Sequence, residues 1–134
     1  MIPGVDGGRL RVVAVKAKGG RGVVAAAPIA EGEVFESSPV VVIPAEEWHR
    51  VEEGVLGSYF FCWNDRSGTK AIVLGRGSLI NHSYRPNTLA RKRMAQRQMD
   101  FVALRPIEAG EELTVNYNGD PGDDGPVGFD VYDP

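Results

Sequence analysis

Turn-forming residues interrupt this chain about every eight to twelve residues, and short segments rich in β-branched and aromatic residues lie between the turns. Segments of this length are typical of strands and are too short for most helices. The pattern predicts roughly nine or ten strands, the first beginning at Leu10 and the last ending near Gly119. We therefore expect a mainly β domain built from several small sheets.

Three segments add detail to this pattern. Pro44 and two acidic residues precede good helix formers, which predicts one short helix ending near Gly54. The run from Val40 to Ile43 is continuously apolar, which predicts a buried strand. The aromatic segment from Tyr59 to Trp63 should form a strand whose successive side chains alternate between two faces, one of them in the core.

The length of 134 residues suits one domain with one hydrophobic core. We expect a single domain over residues 1–134, with a folded core at about residues 10–118 and a short tail at 119–134 that closes the site. The lone cysteine, Cys62, has no partner for a disulfide or a zinc site, so we expect no bound metal and a reducing compartment. The N-terminus lacks a signal-peptide pattern and no apolar run approaches ~20 residues. These features predict an intracellular protein, cytoplasmic or nuclear, that is neither secreted nor bound to a membrane.

Charge is distributed unevenly along the chain. The net charge of -3 argues against direct binding to nucleic acid. Basic residues gather between Arg85 and Arg97, whereas aspartates gather between Asp120 and Asp133. An acidic rim beside a site would attract a basic peptide, although a solvated face is the better explanation of either cluster taken alone. The sequence leaves open whether the basic cluster contacts a partner.

The stretch from Gly75 to Asn87 is unusually specialised for a surface connection. It contains two glycines, the triplet Asn81-His82-Ser83 and a Pro-Asn turn. Glycine allows close backbone approach, and the asparagine and histidine side chains supply donors and acceptors. This composition suits a small polar ligand. A loop whose Asn and Ser side chains only cap their own backbone is the other interpretation.

A second glycine-rich turn, from Lys16 to Gly22, separates the first two predicted strands. It is not a dinucleotide-binding fingerprint, because that motif must open a helix and no helix pattern follows. Its backbone amides could receive a carboxylate of a ligand, or it could be a plain hairpin.

Three segments in order resemble the SET domain family of protein-lysine methyltransferases: Lys18 to Ala25, Asn81 to Asn87, and Glu112 to Tyr117. The glycine turn alone is weak evidence, whereas the second and third segments together are strong. The resemblance extends from about Leu10 to Asn118. It implies small curved β-sheets with a knot-like C-terminal threading, which places the last strand beside the Asn-His segment.

The resemblance also implies S-adenosylmethionine as the cofactor and assigns roles to individual residues. Asn81 would hydrogen-bond the cofactor, and the backbone of His82 would meet its adenine. The full set of implied cofactor-binding residues is Lys18, Gly20, Arg21, Gly22, Asn81, His82 and Phe129. Tyr117 resembles the catalytic tyrosine. The substrate channel would be lined by Tyr59 and Val115 and closed by Tyr132 or Phe129.

Methyl transfer to lysine requires a neutral amine, although a free lysine has a pKa near ~10.4. An apolar channel beside a positively charged sulfonium disfavours the ammonium form, so no strong base is required. Tyr117 would orient the amine, and positioning would supply most of the rate enhancement.

The chain departs from the commoner family pattern at several places. Asn116 stands where Asp is frequent, Tyr84 stands where Cys is frequent, and no cysteine-rich zinc segment follows. In this respect the chain resembles compact bacterial and viral members, which use a short aromatic tail and, in the viral case, form a homodimer. A homodimer is therefore one of the states to be tested. Val115 is aliphatic where many members have an aromatic residue, so the number of methyl groups added stays open.

The preferred hypothesis is a protein-lysine methyltransferase acting on a basic tail of a histone, histone-like or ribosomal protein. One alternative is a catalytically silent SET module that binds peptides along a strand edge and an aromatic groove. Another is a generic β domain, which explains each motif separately but not their joint occurrence. The target protein and its lysine are not specified by the sequence.

Overall fold

A computed structural model describes residues 9–15, 20–127, 131 and 133 of the chain. Within these residues the fold is mainly β with one α-helix, as the sequence predicts. The elements are β1 (Leu10–Val15), β2 (Gly20–Ala25), β3 (Val34–Ile43), α1 (Ala45–Glu52), β4 (Phe61–Asn64), β5 (Thr69–Val73), β6 (Asn81–His82), β7 (Thr88–Arg93), β8 (Gln98–Ala103) and β9 (Thr114–Val115). Two short 3-10 helices, Val55–Ser58 and Arg76–Leu79, complete them.

The strands form three small sheets. β1 and β2 make an antiparallel hairpin, and five antiparallel strands are arranged in the order β4-β5-β3-β8-β7. β6 and β9 pair in parallel, with Asn81 opposite Thr114 and His82 opposite Val115. This pair brings the middle of the chain beside a segment near its end, which is the arrangement expected from the SET resemblance.

The core lies between the hairpin, the five-stranded sheet and the β6–β9 pair. β8 is an interior strand between β3 and β7, and five of its six residues are buried. Phe101 on β8 is fully buried and belongs to one hydrophobic cluster with Leu10 of β1, Val115 of β9 and Ile80, which directly precedes β6. The helix α1 lies outside this cluster, where Trp48 packs against Phe60 with ring centroids 4.8 Å apart. In the described part of the chain, no helix has the length and apolar character needed to cross a membrane.

The structure corrects one sequence prediction about β3. The run Val40 to Ile43 is not fully buried, because it continues a longer strand that begins at Val34 and has only one packed face. Val40 is buried, whereas the side chain of Val41 points away from the core and is 49% exposed. By contrast, the predicted alternation of the aromatic segment is confirmed, since Trp63 is buried and Phe60 is exposed.

The last strand is shorter than predicted. β9 ends at Val115, because the next residues form a turn in which the Asn116 side-chain oxygen accepts from the backbone N–H of Asn118 at 2.9 Å. The backbone oxygen of Asn116 accepts from Gly119 N–H, also at 2.9 Å. Asparagine commonly forms such turns with its own backbone. The turn holds Tyr117 at its centre.

We expect Gly77→Ala to destabilise the fold by about 1–3 kcal/mol, because added volume in a packed core forces backbone shifts. A Cβ at Gly77 would overlap the ring of Phe101. Urea unfolding of the variant measures the change. Gly20→Ala is the matched control, since a Cβ there meets no heavy atom within 4 Å. Equal unfolding midpoints for the two variants would contradict this account of the contact.

Candidate active site

Asn81 connects three segments that are distant in the sequence. Its side-chain Nδ2 donates to the backbone oxygen of Arg21 at 3.0 Å and to Oε2 of Glu112 at 2.8 Å. A single antiparallel backbone bridge pairs Val24 of β2 with Glu112. It keeps β2 beside the Asn81 side chain. Of the predicted cofactor residues, Arg21, Gly22 and Asn81 are therefore brought together.

Gly22 is a glycine that this arrangement requires. A Cβ there would come within 2.7 Å of Glu112 Oε2, 2.8 Å of Val15 Cγ2 and 2.9 Å of Asn81 Nδ2. These distances are shorter than van der Waals contact, so a side chain would displace the polar groups. Gly20 has no comparable neighbours. Lys18, the remaining predicted residue of this turn, lies outside the described residues.

His82 is buried, with 3% of its surface exposed, directly after Asn81. Its Nδ1 accepts a hydrogen bond from the backbone N–H of Tyr117 at 3.0 Å. Its ring also packs against Tyr117 and Tyr84, with centroid distances of 5.2 and 4.4 Å. The imidazole thus fixes the backbone of the predicted catalytic residue, a role that the sequence did not indicate. The backbone of His82, assigned to adenine by the resemblance, pairs with β9.

Tyr117 directs its hydroxyl inward although 40% of the residue is exposed. The hydroxyl donates to the backbone oxygen of Ile80 at 3.0 Å. Burial raises the pKa of Tyr117 to about 12, and the nearby Glu112 and Tyr59 add to the increase. At neutral pH the hydroxyl is therefore protonated, and its oxygen can accept a hydrogen bond from a ligand while it donates to Ile80.

A cavity of about 570 Å³ opens beside Tyr117. Its wall combines polar residues such as Ser58, Ser78 and Asn118 with apolar and aromatic ones, which are Tyr59, Phe60, Phe61, Ile80, Tyr117 and Val127. The predicted channel residue Tyr59 is thus on this wall. Val115 is elsewhere: it is 1% exposed and belongs to the hydrophobic core.

The C-terminal tail attaches to the loop that follows β6. The carboxylate of Asp133 accepts from the Ser83 hydroxyl at 2.7 Å and from the backbone N–H of Tyr84 at 3.0 Å. The Tyr84 hydroxyl donates to the backbone oxygen of Gly125 at 3.0 Å. The described part of the tail therefore lies over the loop at residues 83–85. Phe129 and Tyr132, the predicted lid residues, lie outside the described residues.

Two asparagines near Tyr117 also hold the tail. Nδ2 of Asn116 donates to the backbone oxygen of Asp123 at 2.5 Å, and Nδ2 of Asn118 donates to that of Gly125 at 2.7 Å. The tail thus contacts both sides of the catalytic candidate through neutral hydrogen bonds. Asn116 and Tyr84, two departures from the family pattern, both serve this attachment.

Asn87 fixes the late strand. Its buried side chain accepts from the backbone N–H of Thr114 at 2.9 Å and donates to the backbone oxygen of Glu112 at 2.8 Å. The Pro-Asn part of the predicted ligand loop is therefore used to align β9, which sets the positions of both Glu112 and Tyr117.

Sequence reasoning missed the roles of Glu112 and Asp133. Glu112 lies in the third segment of the family resemblance. A carboxylate directly before the residues of a buried strand is the signal that could have identified it. Asp133 gave no such signal, because it is one of several aspartates in a Gly- and Pro-rich tail.

Comparison with known proteins agrees with this geometry. The SET domain family model matches residues 20–118. A histone-lysine N-methyltransferase of Schizosaccharomyces pombe, specific for H3 lysine-37, is 34% identical over 99 residues, covering 73% of this chain. The chain spans 66% of the length of that relative.

Solved structures give the same result. The CpSET8 protein of Cryptosporidium has a TM-score of 0.67 at 26% identity, covering 90% of this chain and 60% of its own. A polycomb repressive complex 2 structure from Chaetomium thermophilum, bound to S-adenosylmethionine, has a TM-score of 0.69 at 25% identity, covering 82% of this chain and 15% of its own. Because the family model covers most of the sequence and includes the Asn81, Glu112 and Tyr117 segments, the chain belongs to the SET domain family.

Proposed function

We propose that this chain is an S-adenosylmethionine-dependent protein-lysine N-methyltransferase. The observation that carries the proposal is the position of Tyr117, which lines a cavity with an aromatic wall on one side. Its backbone N–H donates to His82, which directly follows Asn81 beside the Gly22 turn. A cofactor site and a substrate site that share one tyrosine suit transfer of a group between two bound molecules.

The residues present fit the proposed cofactor. Because Gly22 lacks a side chain, the β2 backbone approaches Asn81 and Glu112 closely, and the Arg21 carbonyl accepts a hydrogen bond from the Asn81 amide. Both donors of the Asn81 amide are used by Arg21 and Glu112, so its carbonyl oxygen is available to accept from an ammonium group. When bound, S-adenosylmethionine supplies an electrophilic methyl group on a sulfonium.

The cavity fits a lysine side chain in its reactive form. Tyr59, Phe60 and Phe61 give it an aromatic wall that disfavours an ammonium ion through desolvation. Tyr117 remains protonated, donates to Ile80, and accepts a hydrogen bond from the amine through its oxygen. The tyrosine would thereby orient the amine for an in-line displacement, in which the new N–C bond forms as the methyl–sulfur bond breaks. S-adenosylhomocysteine would be the leaving group, and the methylated ammonium would then lose a proton to solvent.

The proposed substrate is a lysine in a basic segment of a histone, histone-like or ribosomal protein. Exposed aspartates at 120, 123 and 124 lie in the chain between Asn118 and Pro126, which both line the cavity. A negative rim attracts a positive peptide and increases its association rate. The yeast relative is named for a lysine of histone H3, which supports this substrate class and a nuclear or cytoplasmic location.

Isothermal titration with S-adenosylmethionine tests the cofactor site. We expect saturable binding by the wild-type chain and about tenfold weaker binding by Asn81→Ala, because a hydrogen bond to a charged group is lost. Asn64→Ala is the matched control, since Asn64 only caps the hairpin between β4 and β5. Labelled methyl transfer to histone and ribosomal proteins then tests the reaction.

The outcomes separate the candidate functions. No binding by the folded wild-type chain would contradict the proposal. Cofactor binding with no methyl transfer to any of these proteins, together with peptide binding, would instead favour the silent peptide-binding module.

A further inference from the structure

Lys70 brings a positive charge to the wall of the cavity beside Tyr117. It lies on β5, an interior strand, where its backbone is paired with Cys62 of β4 on one side and with Ile43 of β3 on the other. Its Nζ donates to Cys62 Sγ at 3.8 Å and lies 5.6 Å from the centroid of the Phe60 ring. Both Cys62 and Phe60 line the cavity, so the ammonium group lies against its wall.

The charge of Lys70 is not neutralised by a neighbouring carboxylate. In the described part of the chain its contacts are a thiol and an aromatic face, and none of the ion pairs includes it. Glu52, on the helix whose Trp48 packs against Phe60, accepts a hydrogen bond from Trp48 Nε1 at 2.9 Å. A thiol is a weak acceptor, and a ring face attracts a cation without cancelling its charge. The ammonium group can therefore attract an anion that approaches the cavity.

Negative charge lies on a different segment of the cavity wall. Asn118 and Pro126 line the cavity, and the aspartates between them in the sequence are exposed. Lys70, by contrast, contacts Phe60 and Cys62, which belong to the β4 side of the wall. The cavity therefore has a cation beside β4 and carboxylates beside the tail. A peptide that brings a lysine into the cavity would meet both charges with its flanking residues.

We propose that Lys70 is a specificity-determining residue for the substrate peptide. Its ammonium group favours an acidic residue, and disfavours a basic one, at the flanking position that lies against β4. Basic residues of the substrate are then directed to the flank that lies against the tail. This inference rests on the proposed function and refines it, because it places the target lysine where a basic segment is interrupted by an acidic or neutral residue on one side.

The size of the expected preference follows from the partial exposure of Lys70. One ion pair at such a site contributes little, because water and salt screen it. A change from Glu to Arg in the peptide, however, replaces an attraction with a repulsion at the same position. We therefore expect about a fivefold preference in kcat/KM for Glu over Arg at the position that faces Lys70.

Competition among synthetic peptides tests the proposal. One parent peptide is the histone H3 segment centred on lysine 37, the residue for which the yeast relative is named, with every other lysine replaced by arginine. The second parent is a neutral Gly-Ser peptide with one central lysine. Glu, Gln or Arg is placed singly at each neighbouring position, and mass spectrometry of the mixed reaction gives relative kcat/KM values. The wild type should prefer Glu to Gln and Gln to Arg on one side of the acceptor lysine.

Two variants of Lys70 test whether its charge causes the preference. Lys70→Glu should reverse the order so that Arg is favoured, and Lys70→Met, which keeps a long side chain without the charge, should abolish the preference. Arg66→Glu is the matched control, because it makes the same change in net charge in the exposed β4–β5 turn and does not line the cavity. It should keep the wild-type preference. Unfolding midpoints show which variants are folded, and Lys70→Met tests the proposal if the charge reversal prevents folding.

Salt separates the effect of charge from that of side-chain shape. The Debye length shortens from about 10 Å at 0.1 M salt to about 3 Å at 1 M, so the wild-type preference should fall from about fivefold to about twofold or less. The small preference of Lys70→Met should not change with salt. A wild-type preference that is equally large at both salt concentrations would overturn the charge-based role of Lys70.

Failure of this inference and failure of the proposed function give different results. If the wild-type chain methylates none of the peptides and none of the histone or ribosomal proteins, the proposed function is contradicted. If it methylates them with no preference between Glu and Arg, or with one that Lys70→Glu and Lys70→Met both retain, only the present inference is overturned.

Discussion

Tyr117→Phe should lower methyl transfer by about a hundredfold or more while S-adenosylmethionine affinity stays within about twofold of the wild type. The hydroxyl donates to the backbone oxygen of Ile80 and lies at the cavity, so its removal takes away the group that orients the substrate amine. The ring, its contact with His82 and the backbone hydrogen bond to His82 are all kept. Single-turnover kinetics with labelled cofactor, beside titration of the cofactor, measure the two quantities separately.

The pH dependence gives this prediction a control. Because the pKa of Tyr117 is raised to about 12, wild-type activity should rise as the substrate amine deprotonates and should not decline through tyrosine ionisation below pH 12.

The same pKa affects stability. The unfolded chain would ionise this tyrosine at its ordinary value of 10.0, so the folded protein loses stability as the pH rises from 10.0 towards 12. Tyr117→Phe should lose less stability across this range in urea unfolding. Unchanged methyl transfer by the variant would remove Tyr117 from the mechanism.

Local features of the sequence were enough to predict much of the fold. β-branched runs and glycine turns indicated the strands, and Pro44 followed by acidic residues indicated the helix Ala45–Glu52. Each of these signals lies within a few residues of the structure it specifies. The burial of β3 was predicted wrongly, because hydrophobicity alone does not say that only one face of Val40 and Val41 is packed.

The candidate site could be predicted in part, and only through the family resemblance. Asn81 and Thr114 are far apart in the sequence, and nothing local specifies that they pair in parallel. The proximity of Glu112 to Gly22 likewise depends on tertiary structure. The turn that ends β9 depends on Asn116, whose side chain interacts with both its own backbone and the tail. Such contacts become visible only when the three segments are assembled.

A chain ending at Gly119 should lose methyl transfer by about a hundredfold, because small errors in the placement of reacting groups have effects of this size. The truncation removes Pro126 and Val127 from the cavity wall and the carbonyl groups that bind Asn116, Asn118 and Tyr84. The hydrogen bonds that are lost reach Tyr84, Asn116 and Asn118, which lie outside the five-stranded sheet, so the rest of the domain should remain folded. Circular dichroism and urea unfolding check that condition, and kinetics measure the loss.

Asp133→Ala tests the same attachment by a single change, with Asp124→Ala as the matched control. Asp133 receives two hydrogen bonds from the Ser83–Tyr84 segment, one of them from a backbone N–H, whereas Asp124 is exposed on the same tail. We expect Asp133→Ala to increase proteolysis and hydrogen exchange of the tail and to lower methyl transfer by about tenfold, and Asp124→Ala to change neither. A double-mutant cycle with Ser83→Ala should give a coupling energy of about 1–2 kcal/mol, since the two side chains share one hydrogen bond. Two outcomes would contradict this attachment: additive changes in unfolding free energy for Ser83→Ala and Asp133→Ala, or equal changes in tail exchange for the two aspartate variants. Either would show that contacts other than those of Asp133 hold the tail.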